Sequence, residues 1–166
     1  MKKIIFLICF LTAVHLSAQD YKFHATFIYN FTKYIQWPPS YNQGDFVIGV
    51  VGDCELIDYL NTLAQTRKAG NQSFKIIKYN SPGEINNPPH IVFIPKTQSS
   101  KLPIVLGKVA SGSTLVITEE AGLGKQGSGI NFVFEGGKPR FELNLDATNA
   151  ARLKVSSELQ RLATVI

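Results

Sequence analysis

The sequence predicts an α/β domain: a largely parallel central sheet with helices on its faces and an antiparallel hairpin near the C-terminus. Three observations carry this reading. Short runs such as Phe46–Val51 and His90–Ile94 are apolar at almost every residue and too short for helices, as strands buried on both faces are. Segments with three- and four-residue apolar spacing alternate with them, the pattern of crossover helices between parallel strands. Finally, Gly136-Gly137 separates two late strand-like runs, and paired glycines permit the positive φ angles of a tight hairpin turn.

Each element has a local reason. Tyr21 to Trp37 is a predicted helix whose aromatic face carries Phe23, Phe27, Phe31, Tyr34 and Ile35. Pro38-Pro39 ends it, because proline cannot extend the hydrogen-bond ladder. Phe46 to Val51 is a buried strand, and Gly52-Asp53 turns the chain. Asp53 is the expected N-cap of a helix from Cys54 to about Gln65, with Leu56, Ile57, Leu60 and Leu63 as its inner stripe. Phe74 to Tyr79 is the next strand, Ser81-Pro82-Gly83-Glu84 a short helical turn, and His90 to Ile94 a strand closed by Pro95. Leu102 to Ala110 is helical, with Pro103 tolerated in the first turn. Thr114 to Thr118 and Ile130 to Phe134 are strands flanking a glycine-rich loop, Ala121 to Gly129, and Pro139 to Leu143 completes the hairpin. Asp146 to Leu153 and Ser156 to Ala163 form a broken helical region. No repeat, linker or charge block divides the chain, so one domain is expected.

A composition of 45% hydrophobic and 17% charged residues excludes a disordered chain, and 13 Gly with 8 Pro are too few for a fibrous one. The formal charge of +5 at first invites a nucleic-acid partner. The N-terminus changes that. Met1-Lys2-Lys3 is basic, Ile4 to Val14 is almost wholly apolar, and Leu16-Ser17-Ala18 supplies a small residue for cleavage: a secretory signal peptide spanning residues 1–18. Its apolar run is well short of the ~20 residues of a membrane span. The remaining domain, 19–166, is then periplasmic. Loss of Lys2 and Lys3 lowers the charge from +5 to +3, and loss of Cys9 leaves Cys54 as the single thiol, so no intrachain disulfide forms. The basic residues are scattered, without a stripe that could track phosphates, so no nucleic-acid partner is expected.

The candidate chemistry is sparse. Gly122-Leu123-Gly124-Lys125-Gln126-Gly127 has the spacing G-x-G-x-x-G, but a strand follows where a dinucleotide site needs a helix, which reads as a flexible loop. Cys54 stands at a predicted helix start, a place that can activate a thiol, yet no histidine or second cysteine accompanies it. His24 and His90 are isolated, so no metal site is expected. Glu119-Glu120 follow a strand at the edge where open parallel sheets hold ligands; as adjacent carboxylates they otherwise read as a solvated loop. Asp53, Glu119 and Asn131 are the candidate residues for a small ligand at that edge. No nucleophile, base and orienting group come together, so no catalytic residue and no cofactor is expected.

Three stretches resemble the YfiR-like family of periplasmic signalling regulators. The first is Phe27-Ile28-Tyr29-Asn30-Phe31-Thr32-Lys33-Tyr34-Ile35-Gln36-Trp37-Pro38, similar to that family's opening helix. The second is Val47-Ile48-Gly49-Val50-Val51-Gly52-Asp53. The third runs Gly127-Ser128-Gly129-Ile130-Asn131-Phe132-Val133, followed by Arg140-Phe141-Glu142-Leu143-Asn144 and Ser156-Ser157-Glu158-Leu159-Gln160-Arg161-Leu162-Ala163. The resemblance implies a non-catalytic regulator that binds the extracytoplasmic region of an inner-membrane signalling enzyme, of diguanylate-cyclase type, and represses it. It further implies release by an outer-membrane lipoprotein and a homodimeric assembly. In the best-known member disulfides matter, whereas here Cys54 stands alone. Tyr29 and Trp37 lie off the Phe23–Phe27–Phe31 stripe and are the expected partner-binding anchors, since aromatic side chains dominate interface hot spots. The alternative is a periplasmic small-ligand binder that uses the strand C-terminal edge.

Overall fold

The computed structural model describes residues 21–166; the predicted signal peptide, residues 1–18, lies outside the described residues. Residues 21–34 are helical (α1) and lead into β1 (Ile35–Gln36), β2 (Phe46–Val51), α2 (Leu56–Ala64), β3 (Lys68–Ala69) and β4 (Gln72–Tyr79). β5 (Ile91–Ile94), α3 (Leu102–Val109), β6 (Leu115–Thr118), β7 (Ile130–Glu135) and β8 (Lys138–Leu143) follow. The chain continues through α4 (Leu145–Ala150), β9 (Lys154–Val155), α5 (Ser157–Leu162) and β10 (Thr164–Val165).

The main sheet has the order β10-β8-β7-β6-β5-β2-β4-β3. Strands β4, β2, β5, β6 and β7 are parallel, and β7 pairs antiparallel with β8 through Gly136-Gly137, whose φ angles of 59° and 73° are those the hairpin turn needs. The predicted α/β architecture is therefore present. Strand side chains alternate between faces, so the sheet feeds two cores. Ile48, Val50, Ile91, Phe93, Leu115, Ile117, Ile130 and Phe132 pack with α1, α2 and Leu159 of α5. Val51, Val92, Ile94 and Val116 pack with α3 on the opposite face.

Several local expectations are corrected. The inner face of α1 carries Ala25, Ile28 and Phe31, with His24 buried beside them. Phe23, expected on that face, is 42% exposed, because it lies about 100° round the helix from His24. The helix stops at residue 34 rather than Trp37. Residues ahead of Pro38 are disfavoured in helical geometry, and Ile35–Gln36 instead pairs antiparallel with Lys154–Val155. Helix α2 starts at Leu56 and not at Cys54, and Asp53 does not cap it. Cys54 and Glu55 are already coiled, with the amides of Ile57 and Asp58 bonded to their carbonyls, and Asp53 turns outward to pair with Lys78. The sequence pattern does not mark the β3–β4 hairpin or β10, which adds parallel to β8 as the edge strand of the sheet. The C-terminal helices are shorter than expected, Leu145–Ala150 and Ser157–Leu162, each capped by a side chain: Asn144 accepts from the Ala147 amide and Ser156 from the Leu159 amide.

His90 ties the strand N-terminal edge together. Its Nδ1 accepts from the Val47 amide at 3.0 Å and its Nε2 lies 2.8 Å from the Tyr41 carbonyl, so the ring is neutral with its proton on Nε2. It stacks on Phe46 at 4.2 Å, and the His90 carbonyl accepts from Trp37 Nε1 at 3.2 Å. Burial holds this imidazole below its ordinary 6.5, against the opposing bond to Tyr41. The unfolded chain then binds a proton that the native state resists, so stability falls as pH drops through the ordinary histidine range. Urea unfolding should show this loss between about pH 7 and 5.5. His90→Asn should cost about 1–3 kcal/mol at neutral pH and flatten that dependence; an unchanged slope would contradict the assignment.

Candidate functional site

An open parallel sheet offers a crevice where successive connections leave in opposite directions. Here the chain leaves β2 toward β4 and leaves β5 toward β6, so the C-terminal ends of β2 and β5 form that crevice. Three segments meet there: Asp53-Cys54 after β2, Pro95-Lys96 after β5, and Glu119 after β6. Helix α1 covers them with Tyr21 and His24, one turn apart on the same face.

Glu119 is the centre of the cluster. It is not the solvated loop residue that its neighbour Glu120 suggested: only 11% of its side chain is exposed. Its Oε1 accepts from the Tyr21 hydroxyl at 3.0 Å and from the Lys96 amide at 2.8 Å. Its Oε2 lies 3.4 Å from His24 Nδ1, within ion-pair range, although that nitrogen is not aligned for a hydrogen bond. The imidazole is stacked on Phe132 at 4.0 Å, which fixes its plane. Burial pushes the Glu119 carboxyl up, but His24, the Lys96 amide and the Tyr21 hydroxyl outweigh it and hold the group below its ordinary value of 4.5. Burial, reinforced by the Glu119 charge, keeps the Tyr21 phenol protonated far above its usual range. Burial also raises the Cys54 thiol beside Tyr21, with the Glu119 and Glu55 charges adding to it and the Leu56 amide and Tyr21 opposing. A protonated thiol and a carboxylate already committed to donors are poorly placed to act as nucleophile and base. Tyr21, His24, Lys96 and Glu119 line a cleft of about 550 Å³ together with Phe132, Phe134 and Glu135, and Cys54 lies outside it.

The three residues expected at this edge do not form one site. Asp53 projects from the surface, its side chain 92% exposed, into a separate depression with Cys54, Asp58 and Lys78. Asn131 pairs in register with Thr118, which places its side chain on the other face of the sheet from Glu119. There it is buried in a polar network: Thr118 Oγ1 donates to Asn131 Oδ1 at 2.7 Å, and Asn131 Nδ2 donates to Glu142 at 2.9 Å. This network also holds the inner residues of the glycine-rich loop, Leu123, Gly124, Ser128 and Gly129, which are buried. A Cβ on Gly124 would stand 2.8 Å from the Glu142 carboxylate, and the Gly124 carbonyl accepts from Asn144 Nδ2 at 2.8 Å. Gly124, Gly127 and Gly129 sit against close neighbours, whereas Gly122 stands in open space at a φ of 86°.

The two expected partner anchors are half-buried. Tyr29 packs edge-on against Phe74, with Lys33 Nζ 4.2 Å above its ring. Trp37 packs edge-on against Phe46 at 4.9 Å and lines a cavity of about 570 Å³ on the far side of the sheet edge from Glu119. The sequence pattern does not single out Tyr21, His24 and Lys96 as crevice residues. The i, i+3 spacing of Tyr21 and His24 was visible, but what it faces depends on the seat of α1. Among the described residues no group of three or more His, Cys, Asp or Glu side chains could hold a metal ion, and no helix is long and apolar enough to cross a membrane.

The family described as YfiR/HmsC-like matches residues 21–164. No curated protein matches the chain. Among solved structures, a conserved domain protein from Vibrio cholerae O1 biovar El Tor is similar at a TM-score of 0.61 and 11% identity; the match covers 87% of this chain and 59% of that one. The ABC domain of Streptococcus pneumoniae, solved in complex with L-Trp, is similar at a TM-score of 0.52 and 12% identity, covering 72% of this chain and 55% of that one. The chain thus spans less than two thirds of either structure, and at these identities the likeness is one of fold.

Two outcomes test the site. Because the folded Glu119 carboxyl sits below its ordinary value, its stabilisation is present above that range and disappears as pH falls through the folded value. Glu119→Gln should therefore cost about 1–3 kcal/mol at neutral pH and reduce the loss of stability between about pH 5 and 3; an identical acid limb would contradict the account. In a Cys9→Ser background, Cys54 should react with an aromatic disulfide reagent at about pH 8 more slowly than free cysteine. Glu119→Gln should speed that reaction, and labelling faster than free cysteine would overturn the raised thiol.

Proposed function

The chain belongs to the YfiR/HmsC-like family, and from that premise we propose that it is a periplasmic regulator which binds the extracytoplasmic region of an inner-membrane signalling enzyme, of diguanylate-cyclase type, and represses it. The observation that carries this reading is the family match across residues 21–164, nearly the whole of the described chain. The family is one of regulators, and the site chemistry supports a binding role: the Cys54 thiol is held protonated and Glu119 is already engaged by Tyr21, Lys96 and His24. In this reading residues 1–18 are a cleaved export signal, residues 19–166 are the regulatory domain, and an outer-membrane lipoprotein relieves the repression. Tyr29 and Trp37 remain the proposed partner anchors.

A second reading has its own observation. The Glu119 cleft, at the sheet edge where open α/β folds hold ligands, is of a size for a small molecule, and the Streptococcus pneumoniae domain of similar fold is an L-Trp complex. A ligand there would act on the regulator through α1. Asp53 and Asn131, on separate surfaces, would not touch it.

Deleting the gene in its own host should raise cyclic-di-GMP and surface attachment, and crosslinking in intact envelopes should join the protein to an inner-membrane protein with an output domain. Unchanged second messenger together with no membrane partner would overturn the regulatory reading.

A further inference from the structure

Tyr29 and Trp37 are the ends of one aromatic row. From Tyr29 the rings run to Phe74 at 6.2 Å, from Phe74 to Phe46 at 5.6 Å, and from Phe46 to Trp37 at 4.9 Å. The middle pair is buried, so only the two ends reach the surface and their spacing is fixed by the core. Both ends are flanked by cations. Lys33 Nζ stands 4.2 Å and Arg67 Cζ 5.7 Å from the centre of the Tyr29 ring. At the other end, the Trp37 cavity is lined by Arg152 and Lys154 and by no Asp or Glu.

Arg152 is the residue just past the end of α4: its φ of 58° closes the helix, with the Leu153 amide bonded to the Thr148 carbonyl and the Arg152 amide to the Asn149 carbonyl. Its Nε donates to Ser113 Oγ at 3.2 Å and its Nη2 to the Ser111 carbonyl at 3.1 Å, while Nη1 makes no hydrogen bond among the described residues. Lys154 lies beside it on β9, whose pairing with Ile35–Gln36 fixes it next to Trp37. Two anchored aromatic ends, four cations and a cavity without an acid fit an occupant with carboxylates spaced along a chain and an apolar side chain between them.

We propose that the Tyr29–Trp37 surface is the face on which the regulator docks an acidic segment of its protein partner, with carboxylates on Arg152 and Lys154 and an apolar side chain against Trp37. This rests on the regulatory reading above and names the chemistry of the partner surface.

Trp37 is the single tryptophan of the chain, so its emission reports directly on the cavity. The probe is an acetylated, amidated hexapeptide of four glutamates and two leucines, with a lysine-for-glutamate peptide and benzoate as comparisons. At low salt the acidic peptide should shift Trp37 emission saturably, and about 0.5 M salt should abolish the shift. Lys154→Glu, at an exposed position, should weaken binding about tenfold with the melting temperature unchanged. An equal response to the lysine peptide, no response to the acidic one, or an unaltered affinity in Lys154→Glu overturns the proposal. Saturation by benzoate with no effect of the peptide also overturns it, in favour of a small-anion pocket. The two readings fail separately: if envelope crosslinking captures the same membrane partner with wild type and Lys154→Glu alike, the regulatory reading stands and only this surface is lost, whereas no membrane partner with wild type overturns the regulatory reading itself.

Discussion

Helix α1 is held on the sheet by Ile28 and Phe31, both without exposed surface, and by His24 stacked on Phe132 at 4.0 Å. A buried side chain of this size contributes about 2–3 kcal/mol relative to an exposed one, so the seat is firm without any single decisive contact. Everything that gives the molecule a surface to use follows from it. The N-terminal turn of α1 brings Tyr21 and His24 over the strand ends and closes the Glu119 cluster. The last turn delivers Ile35–Gln36 to β9 and, beyond it, Trp37 to the His90 carbonyl. One helix therefore places two separate surfaces at opposite ends of the sheet.

The polar interior obeys the same geometry. A carboxylate with a nearly buried side chain is costly unless its oxygens are occupied, and Glu119 meets that condition with a phenol, a backbone amide and a neighbouring imidazole. Two residues back along the same strand path, the side chains face α1; one residue out of phase, Thr118 and Asn131 face the other core. Asn131, Ser128, Glu142 and Gly124 are consumed in holding the glycine-rich loop to β7 and β8. The two networks are close in sequence and separated by the thickness of the sheet.

Much of the fold is legible in the amino-acid order, because apolar runs, proline stops and paired glycines act locally. The strands β2, β5, β6, β7 and β8 and helix α3 fall within a residue or two of where their patterns place them. The misplaced features are those decided by distant partners. Ile35–Gln36 leaves the helix because Lys154–Val155 pairs with it, more than a hundred residues away in sequence. Asp53 has the side chain of a cap, but Lys78 on the neighbouring strand takes it. His24 has no partner nearby in sequence because its neighbours, Phe132 on β7 and Glu119 just after β6, come from late in the chain. The site was legible as an edge and not as a set: parity along β6 and β7 separates Glu119 from Asn131, and that parity depends on strand register.

Amide hydrogen exchange along α1 tests most directly whether its seat organises the molecule. If it does, the amides of residues 25–34 exchange only in the global unfolding event, with the same protection as the central strands β2 and β5. Exchange of α1 by an independent, low-energy opening while β2 and β5 stay protected would contradict that account.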